Sequence, residues 1–333
     1  MENRGNIQVR FASLPTARQS AASLQPEWQR RLEAWHNLLA QCARKPNRKS
    51  VHALRSLTLR LGVGLEHSLQ ERAEDPTAAR AFQRWSKDGK KLRKALEPVR
   101  DADVRLARLD SLRNTSGGAS EGETQLSPRC ICEIDKLENR LKRQRQVGTD
   151  KLMAFIDAHS KRLNRLSKEM EAALAPHMLS RVHSTAQAAL RIFAGLAGEL
   201  PNLNAANLHA YRKRLKQALY LAESSATADP LARRLAVAFR KIHLAAGEWH
   251  DWQALALEAG RVLPGHGIQD GLVPVLQALE EKALHRALGQ CRRSAARLLK
   301  SVGEIQPSQR KKPVAADRSF HPRGEYLWME ICC

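Results

Sequence analysis

The stretch VHALRSLTLRLGVGLE at residues 51–66 has a counterpart later in the chain, LHAYRKRLKQALYLAE at residues 208–223. In both stretches a histidine is followed three residues later by an arginine, and then by further basic and leucine positions. Leucines and basic residues at this spacing predict helices with an apolar side and a polar stripe. A helix of this kind, present twice, predicts a fold built by duplication.

A second pair of segments recurs in the same order. LEPVRDADV at residues 96–104 is similar to AGEWHDWQA at residues 246–254, which aligns Arg100–Asp101 with His250–Asp251. The two pairs are separated by nearly the same length of chain in each half. The sequence therefore predicts two homologous halves, each a bundle of about four helices, that pack about a pseudo-two-fold axis.

Composition predicts an all-α class. The chain has 333 residues, enough for two helical domains, and only 5% of them are aromatic. Ala, Leu, Arg and Glu are abundant, and these residues favour helices over strands. The stretch NTSGGASEGETQLSP has the composition of a linker. The predicted organisation is a flexible N-terminus (1–26), a first helical half (27–113), a linker (114–128), connecting helices with a second helical half (129–302), and a C-terminal tail (303–333).

Proline, glycine and capping residues predict where individual helices end. In the first half, helices are predicted from Glu27, over Arg48–Ala73, over Thr77–Leu96 with Pro98 stopping it, and over Asp101–Arg113. Gly148 is predicted to separate the helices Arg129–Gln146 and Asp150–Leu174. The remaining predicted helices are His177–Leu200, Asn204–Ser224, Asp229–Ala246, His250–Val262 and Gly271–Val302.

The charge of the chain predicts an anionic partner. Lys and Arg total 56 and Asp and Glu total 34, which gives a net charge of +22 at pH 7. Such an excess favours binding to nucleic acid, to an anionic membrane surface or to a phosphate polymer, because each releases counterions when it binds. Charge alone therefore does not distinguish these partners. The sequence has no stretch of about 18 apolar residues, and its N-terminus lacks the apolar core of a signal peptide. We therefore expect a cytoplasmic protein without a membrane partner.

Residue types that carry catalysis or bind metal ions do not form a motif. The six cysteines have no C-x-x-C spacing, and the phosphate-binding loop G-x-x-x-x-G-K-[ST] is missing. We expect no enzyme activity, no cofactor and no metal site. Asp101 and Asp251 are predicted to cap the helix that follows each of them, or to fix a nearby basic side chain.

Basic side chains fall on one side of several predicted helices. At 100° per residue, His52 and Arg55 share a narrow arc, and His209 and Arg212 do the same in the second copy. Like charges one turn apart repel each other, and an anionic ligand would offset that cost. A solvated polar face explains any one stripe. A histidine at the same place in both halves indicates phosphate contact, because ring N–H groups donate hydrogen bonds.

These segments resemble the CHAD family, the conserved histidine α-helical domain. VHALRSLTLRL and LHAYRKRLKQALYLAE are similar to its two histidine signatures, and LRKALEPVRDADV is similar to its L-G-x-V-R-D-x-D-V turn. The likeness covers roughly residues 27–302. In the first half, Leu59 and Gly62 stand where the family is often basic, and Glu97 replaces the usual glycine.

The resemblance implies two four-helix bundles around a basic central groove or pore that binds inorganic polyphosphate, and association with polyphosphate granules. It also implies a stand-alone binding module, because no E-x-E-x-K strand of the CYTH triphosphatase type, which some relatives carry, precedes residue 27. The residues implied to contact polyphosphate are His52, Arg55, Arg60, Lys90, Lys91, Arg93, Arg100, His209, Arg212, Lys213, Lys216, Arg240 and Lys241.

A nucleic-acid-binding protein that uses the same basic surface is the alternative. Polyphosphate has about one negative charge per phosphate and no bases, so it requires N–H donors and no stacking platform. Single-stranded nucleic acid also requires aromatic side chains on which its bases stack, and the chain has only three Tyr and six Phe. The six Trp mostly lie beside apolar positions and are predicted to pack in cores.

Overall fold

The computed structural model describes residues 27–70, 76–117, 126–174, 182–263 and 271–303. These residues are helical apart from short turns, which confirms the predicted all-α class. A three-residue 3-10 turn, Leu200–Asn202, precedes the sixth helix. The helices of the described residues are α1 (Glu27–Arg44), α2 (Arg48–Gln70), α3 (Pro76–Gly117), α4 (Pro128–Leu174), α5 (Val182–Ala197), α6 (Ala205–Ser225), α7 (Pro230–Val262) and α8 (Leu272–Gly303).

The two helices that carry the histidine signatures both begin at asparagine caps. Asn47 Oδ1 accepts from the backbone N–H of Ser50 at 3.0 Å, while Ser50 Oγ accepts from the backbone N–H of Asn47 at 3.1 Å. Asn204 and Asn207 form the same reciprocal pair at the start of α6. Both caps satisfy N–H groups that a helix start leaves without partners, so the register of α2 and α6 is fixed a turn before each signature histidine.

Pro98 does not end a helix, contrary to the prediction. The segments predicted as Thr77–Leu96 and Asp101–Arg113 are one helix, α3, with Pro98 inside it. Leu92, Leu96 and Val99 are buried on either side of the proline. The free energy gained by burying this apolar side offsets the loss of the one backbone hydrogen bond that proline cannot donate. Pro98 itself is exposed, so water can hydrate the carbonyl left without that bond.

Gly148 also lies inside a helix instead of separating two, which corrects a second prediction. A Cβ added at Gly148 would lie 3.2 Å from Pro98 Cβ and 3.3 Å from the backbone nitrogen of Val99. The glycine therefore permits the close approach of α4 to α3, the helix against which α4 packs most extensively. In sequence, a glycine needed for close packing looks the same as one that ends a helix.

The predicted break between Ala246 and His250 is also wrong, because α7 continues through it. Asp229 caps the start of α7, where its Oδ1 accepts from the backbone N–H of Leu231 at 2.7 Å. In the first part of the predicted linker, residues 114–117 are helical, and α3 ends at Gly117. The predicted flexible N-terminus, most of the linker and most of the C-terminal tail lie outside the described residues.

By density of contacts the chain divides into two compact units. The first unit, called unit 1, contains residues 182–243 and the part of α8 from Leu288 onward. The second, called unit 2, contains the described residues up to Leu174 and those between Leu244 and Ala287. This division follows packing and does not test the predicted division into homologous halves, which stays a prediction.

The core of unit 2 is built around tryptophans of α1 and α3. Trp35 is fully buried, with its ring centroid 6.2 Å from that of Trp85, and its indole Nε1 donates to Thr58 Oγ1 at 2.8 Å. Unit 1 has a smaller core in which Phe193 and Phe239 lie 5.2 Å apart. Within the described segments, no helix is both long enough and apolar enough to span a bilayer.

Candidate basic polyanion-binding surfaces

The side chains predicted in the first half lie on α2 and α3 of unit 2. His52 is exposed, Arg55, Arg60 and Lys90 are half-buried, and Lys91 is exposed. We call these five residues the first basic face. His52 and Arg55 follow the Asn47 cap by a turn or two of helix, so the cap fixes the direction in which this end of the face points.

Arg55 is held by a carboxylate from α3. Its Nη2 donates to Glu97 Oε1 at 3.2 Å, and the two side chains are 14% and 34% exposed. The pair joins α2 to α3 beside His52. Glu97 is also the position at which the sequence departs from the family turn, so that departure places an anion on a predicted phosphate ligand.

Lys91 belongs to a second ion-pair group, whose centre is Asp88. The Asp88 carboxyl is buried, Lys91 Nζ lies 3.4 Å from its Oδ1, and Arg162 of α4 donates to its Oδ2. Burial raises the pKa of Asp88, but Arg162 and Lys91 together outweigh burial and hold that pKa below its ordinary value. Asp88 therefore works as a structural anchor between α3 and α4, while the exposed stem of Lys91 stays at the surface.

Glu66 is a carboxylate on α2 itself, C-terminal to His52 along the helix. Burial raises its pKa from 4.5 to about 7, although the ammonium group of Lys90 on α3 opposes the shift. A carboxyl with a raised pKa keeps its proton near neutral pH. Glu66 then offers Lys90 only a fraction of a negative charge. The first basic face therefore stays cationic around Lys90.

Glu66 should make the protein less stable as pH rises. Its carboxyl is protonated in both folded and unfolded chains below pH 4.5, whereas between about 4.5 and 7 the folded chain holds more protons than the unfolded one. The free energy of unfolding therefore falls across that window and levels off above it. We expect Glu66→Gln to stabilise the protein by about 1.5 kcal/mol at pH 8, a value discounted for solvent screening, and to have little effect at pH 4.5.

Urea unfolding at several pH values measures this difference. Glu171→Gln removes one carboxylate from α4 and serves as the control. A stabilisation by Glu66→Gln that is the same at pH 4.5 and pH 8 would contradict the assignment.

The first basic face leaves out two residues of the first half that were predicted to contact polyphosphate. Arg93 is only 2% exposed and is among the largest fully buried side chains of the described residues. Arg100 is 19% exposed, and its Nη1 donates to Asp101 Oδ1 at 3.0 Å. The predicted ligand roles of both residues stay predictions, and the first basic face is defined without them.

Arg100 lies where the two copies of the duplicated turn motif meet, inside unit 2. Its Nη2 is 3.8 Å from Asp251 Oδ1, and Arg108 Nη2 is 3.4 Å from Asp251 Oδ2. Arg108 also stacks its guanidinium 5.3 Å from the ring centroid of Trp252. Asp101 and Asp251 do not cap helices, because α3 and α7 run through both positions. The other part of that prediction is confirmed, since both carboxylates fix basic side chains.

The side chains predicted in the second half lie on α6 and α7 of unit 1. His209, Arg212, Lys213 and Lys216 are half-buried along α6, and we call these four residues the second basic face. Lys216 Nζ lies 5.7 Å from the ring centroid of the buried Tyr220, within the range of a cation–π contact. The ring of Tyr220 therefore contacts the ammonium group of Lys216.

Arg240 and Lys241 are exposed on α7 of the same unit. Arg240 Nη2 donates to Glu223 Oε1 of α6 at 2.5 Å, and the Glu223 side chain is 8% exposed. The structure thus describes two basic surfaces, one in each unit. That both surfaces line one central groove or pore stays a prediction.

A serine, a histidine and an asparagine follow one another in a hydrogen-bonded series in unit 2. Ser167 Oγ lies 3.1 Å from His36 Nε2, and His36 Nδ1 lies 3.0 Å from Asn164 Oδ1. Ser167 has no exposed surface, so its hydroxyl is out of reach of a substrate. The series joins α1 to α4 and is structural. Across the described segments, no three His, Cys, Asp or Glu residues group so that they could hold a metal ion.

The family model of the CHAD domain matches residues 28–260, which is most of the chain. The chain therefore belongs to the CHAD family, as the two histidine signatures and the duplicated turn indicated. The family is linked to polyphosphate binding and is generally non-catalytic. Comparison with curated proteins and with solved structures gives no match.

Sequence reasoning missed the carboxylates that lie among the basic residues. In the sequence, Glu97 is a departure from the family turn, and the predicted site includes neither Glu97 nor Glu66. The heptad-like spacing of α2 places Glu66 on the same side as Arg48 and His52, so helical periodicity could have found it. The pairing of Glu97 with Arg55 cannot be predicted from either sequence segment, because it depends on how α3 packs against α2.

Proposed function

We propose that the chain binds inorganic polyphosphate through the first and second basic faces and associates with polyphosphate granules by holding that polymer. Membership of the CHAD family supports the ligand class. The observation that carries the choice of ligand is the burial of the indole and phenol rings: every Trp and Tyr of the described segments is buried, and among the Phe residues there only Phe155 is half-buried. Single-stranded nucleic acid would have no indole or phenol there on which to stack.

Each basic face supplies what a phosphate polymer requires. Imidazole, guanidinium and ammonium groups all donate hydrogen bonds, and a charged donor makes a stronger bond to a phosphate oxygen than a neutral one. The groups repeat along one side of a helix, as phosphates repeat along the polymer. Binding releases condensed counterions and relieves repulsion between neighbouring cations, so the complex should weaken as salt rises.

A competition experiment tests the choice between polyphosphate and nucleic acid. The protein is first bound to labelled single-stranded DNA, and long-chain polyphosphate is then added at equal phosphate concentration while fluorescence anisotropy is recorded. We expect polyphosphate to displace the DNA. Poly-glutamate at the same charge concentration is the control for charge alone, and we expect it to displace much less. DNA that stays bound in the presence of polyphosphate would overturn the proposal.

A further inference from the structure

A carboxylate next to the first basic face forms an ion pair with one of the cations of that face. Glu97 Oε1 accepts from Arg55 Nη2 at 3.2 Å, across the α2–α3 contact. Arg55 keeps 14% and Glu97 34% of its side-chain surface exposed, so a ligand can approach the pair from solvent. The neighbouring His52 is exposed on the same side of α2. A polymer lying on this face therefore meets the ion pair directly.

A carboxylate and a phosphate use the same N–H groups of a guanidinium. Both present two oxygens in one plane to the planar fork of arginine. A phosphate that binds Arg55 through Nη2 must therefore displace Glu97 or share the donor with it. In addition, the charge of Glu97 repels every phosphate that comes within a few ångströms, where solvent screens it only in part.

Glu97 differs in this respect from Asp88, a carboxylate that also pairs with a cation of the first basic face. Asp88 is buried and bonded to Arg162 as well as to Lys91, so its removal would disturb the contact between α3 and α4. Glu97 is half-exposed at the surface, and an ion pair of that kind contributes little to stability. The structure thus gives a clear stabilising role to Asp88 and none of that size to Glu97.

Resting on the proposed function, we propose that Glu97 is an internal competitor for the phosphate site at Arg55 and sets the affinity of the first basic face. The Glu97 carboxylate accepts the hydrogen bond of Arg55 when the polymer is absent, and a phosphate displaces it when the polymer binds. The protein consequently binds polyphosphate more weakly, and releases it more easily, than its positive charge would otherwise allow.

Affinity measurements on Glu97→Gln test this role. Glutamine keeps the size of the side chain and removes its charge, and we expect the affinity for long-chain polyphosphate to rise about fivefold at fixed salt. Glu171→Gln removes the same charge from α4, away from the ion pair, and we expect less than a twofold gain. Circular dichroism checks that both variants keep the helix content of the parent protein.

A double-mutant cycle separates competition for Arg55 from a general change in charge. In an Arg55→Ala background, Glu97→Gln should gain no more than the Glu171→Gln control, because the contested donor is gone. An equal gain with and without Arg55, or a gain in the parent background no larger than that of the control, would overturn the proposal. If the unmodified protein does not bind polyphosphate at all, the proposed function itself fails, and that result is distinct from both.

Discussion

Replacing His52, Arg55, His209 and Arg212 together by alanine is expected to weaken polyphosphate binding roughly 100-fold. A hydrogen bond to a charged group contributes at least about 1.5 kcal/mol, and the variant removes one arginine from each basic face. All four residues keep some exposed surface on helices whose apolar sides are buried elsewhere, so the fold should persist. Titration with long-chain polyphosphate, followed by anisotropy or calorimetry, measures the change.

The salt dependence of binding provides an internal check on this variant. Loss of two phosphate contacts should lower the slope of log affinity against log salt by about 1.5. The matched control replaces Arg143 and Lys161 by alanine, which removes the same charge at pH 7 from the exposed side of α4. Equal weakening by the site variant and by this control would mean that binding follows net charge and that the two basic faces are not the site.

Gly148→Leu is expected to destabilise unit 2 by about 3 kcal/mol. A Cβ at this position would meet Pro98 and the backbone nitrogen of Val99 at 3.2–3.3 Å, and a backbone cannot move aside as a flexible side chain can. A larger side chain would force α3 and α4 apart, and overpacking of this kind costs about 1–3 kcal/mol or more. Urea or thermal unfolding measures the loss.

Gly64 supplies the control, since it is also helical and an added Cβ there meets nothing within 4 Å. Gly64→Ala should therefore stabilise the protein by about 0.5–1 kcal/mol through helix propensity alone. If residue 148 instead behaved as a linker glycine between two helices, leucine there would be tolerated and the two variants would differ little. That outcome would contradict the continuous α4 helix.

Prediction from sequence succeeded where the deciding interactions are local. Asn47 and Asn204 cap helices through bonds to residues three positions away, so the starts of α2 and α6 follow from the sequence. Pro98 and Gly148 led to wrong predictions because the prediction considered only local interactions. Their local preference is to end a helix, and burial of distant apolar side chains outweighs that preference.

The candidate site divides in the same manner. Helical periodicity brought His52 and Arg55, and His209 and Arg212, to one side of their helices, and the structure retains both groupings. Arg93 illustrates the limit, since the same periodicity cannot say whether a cationic position faces water or neighbouring helices, and this one is buried. Its environment is set by packing between elements far apart in sequence.

The amino-acid sequence by itself determined the helical class, the family, the repeated histidine signatures and the cationic character, because composition and spacing within one helix are enough to specify each of them. Only the tertiary structure decided that helices continue through the three positions at which breaks were predicted. It also decided that Asp251 pairs with both Arg100 and Arg108, and that Glu97 pairs with Arg55. Each of these depends on side chains tens of residues or more apart in the chain. Such neighbours are chosen by the burial of apolar surface between helices, which leaves no local pattern in the sequence.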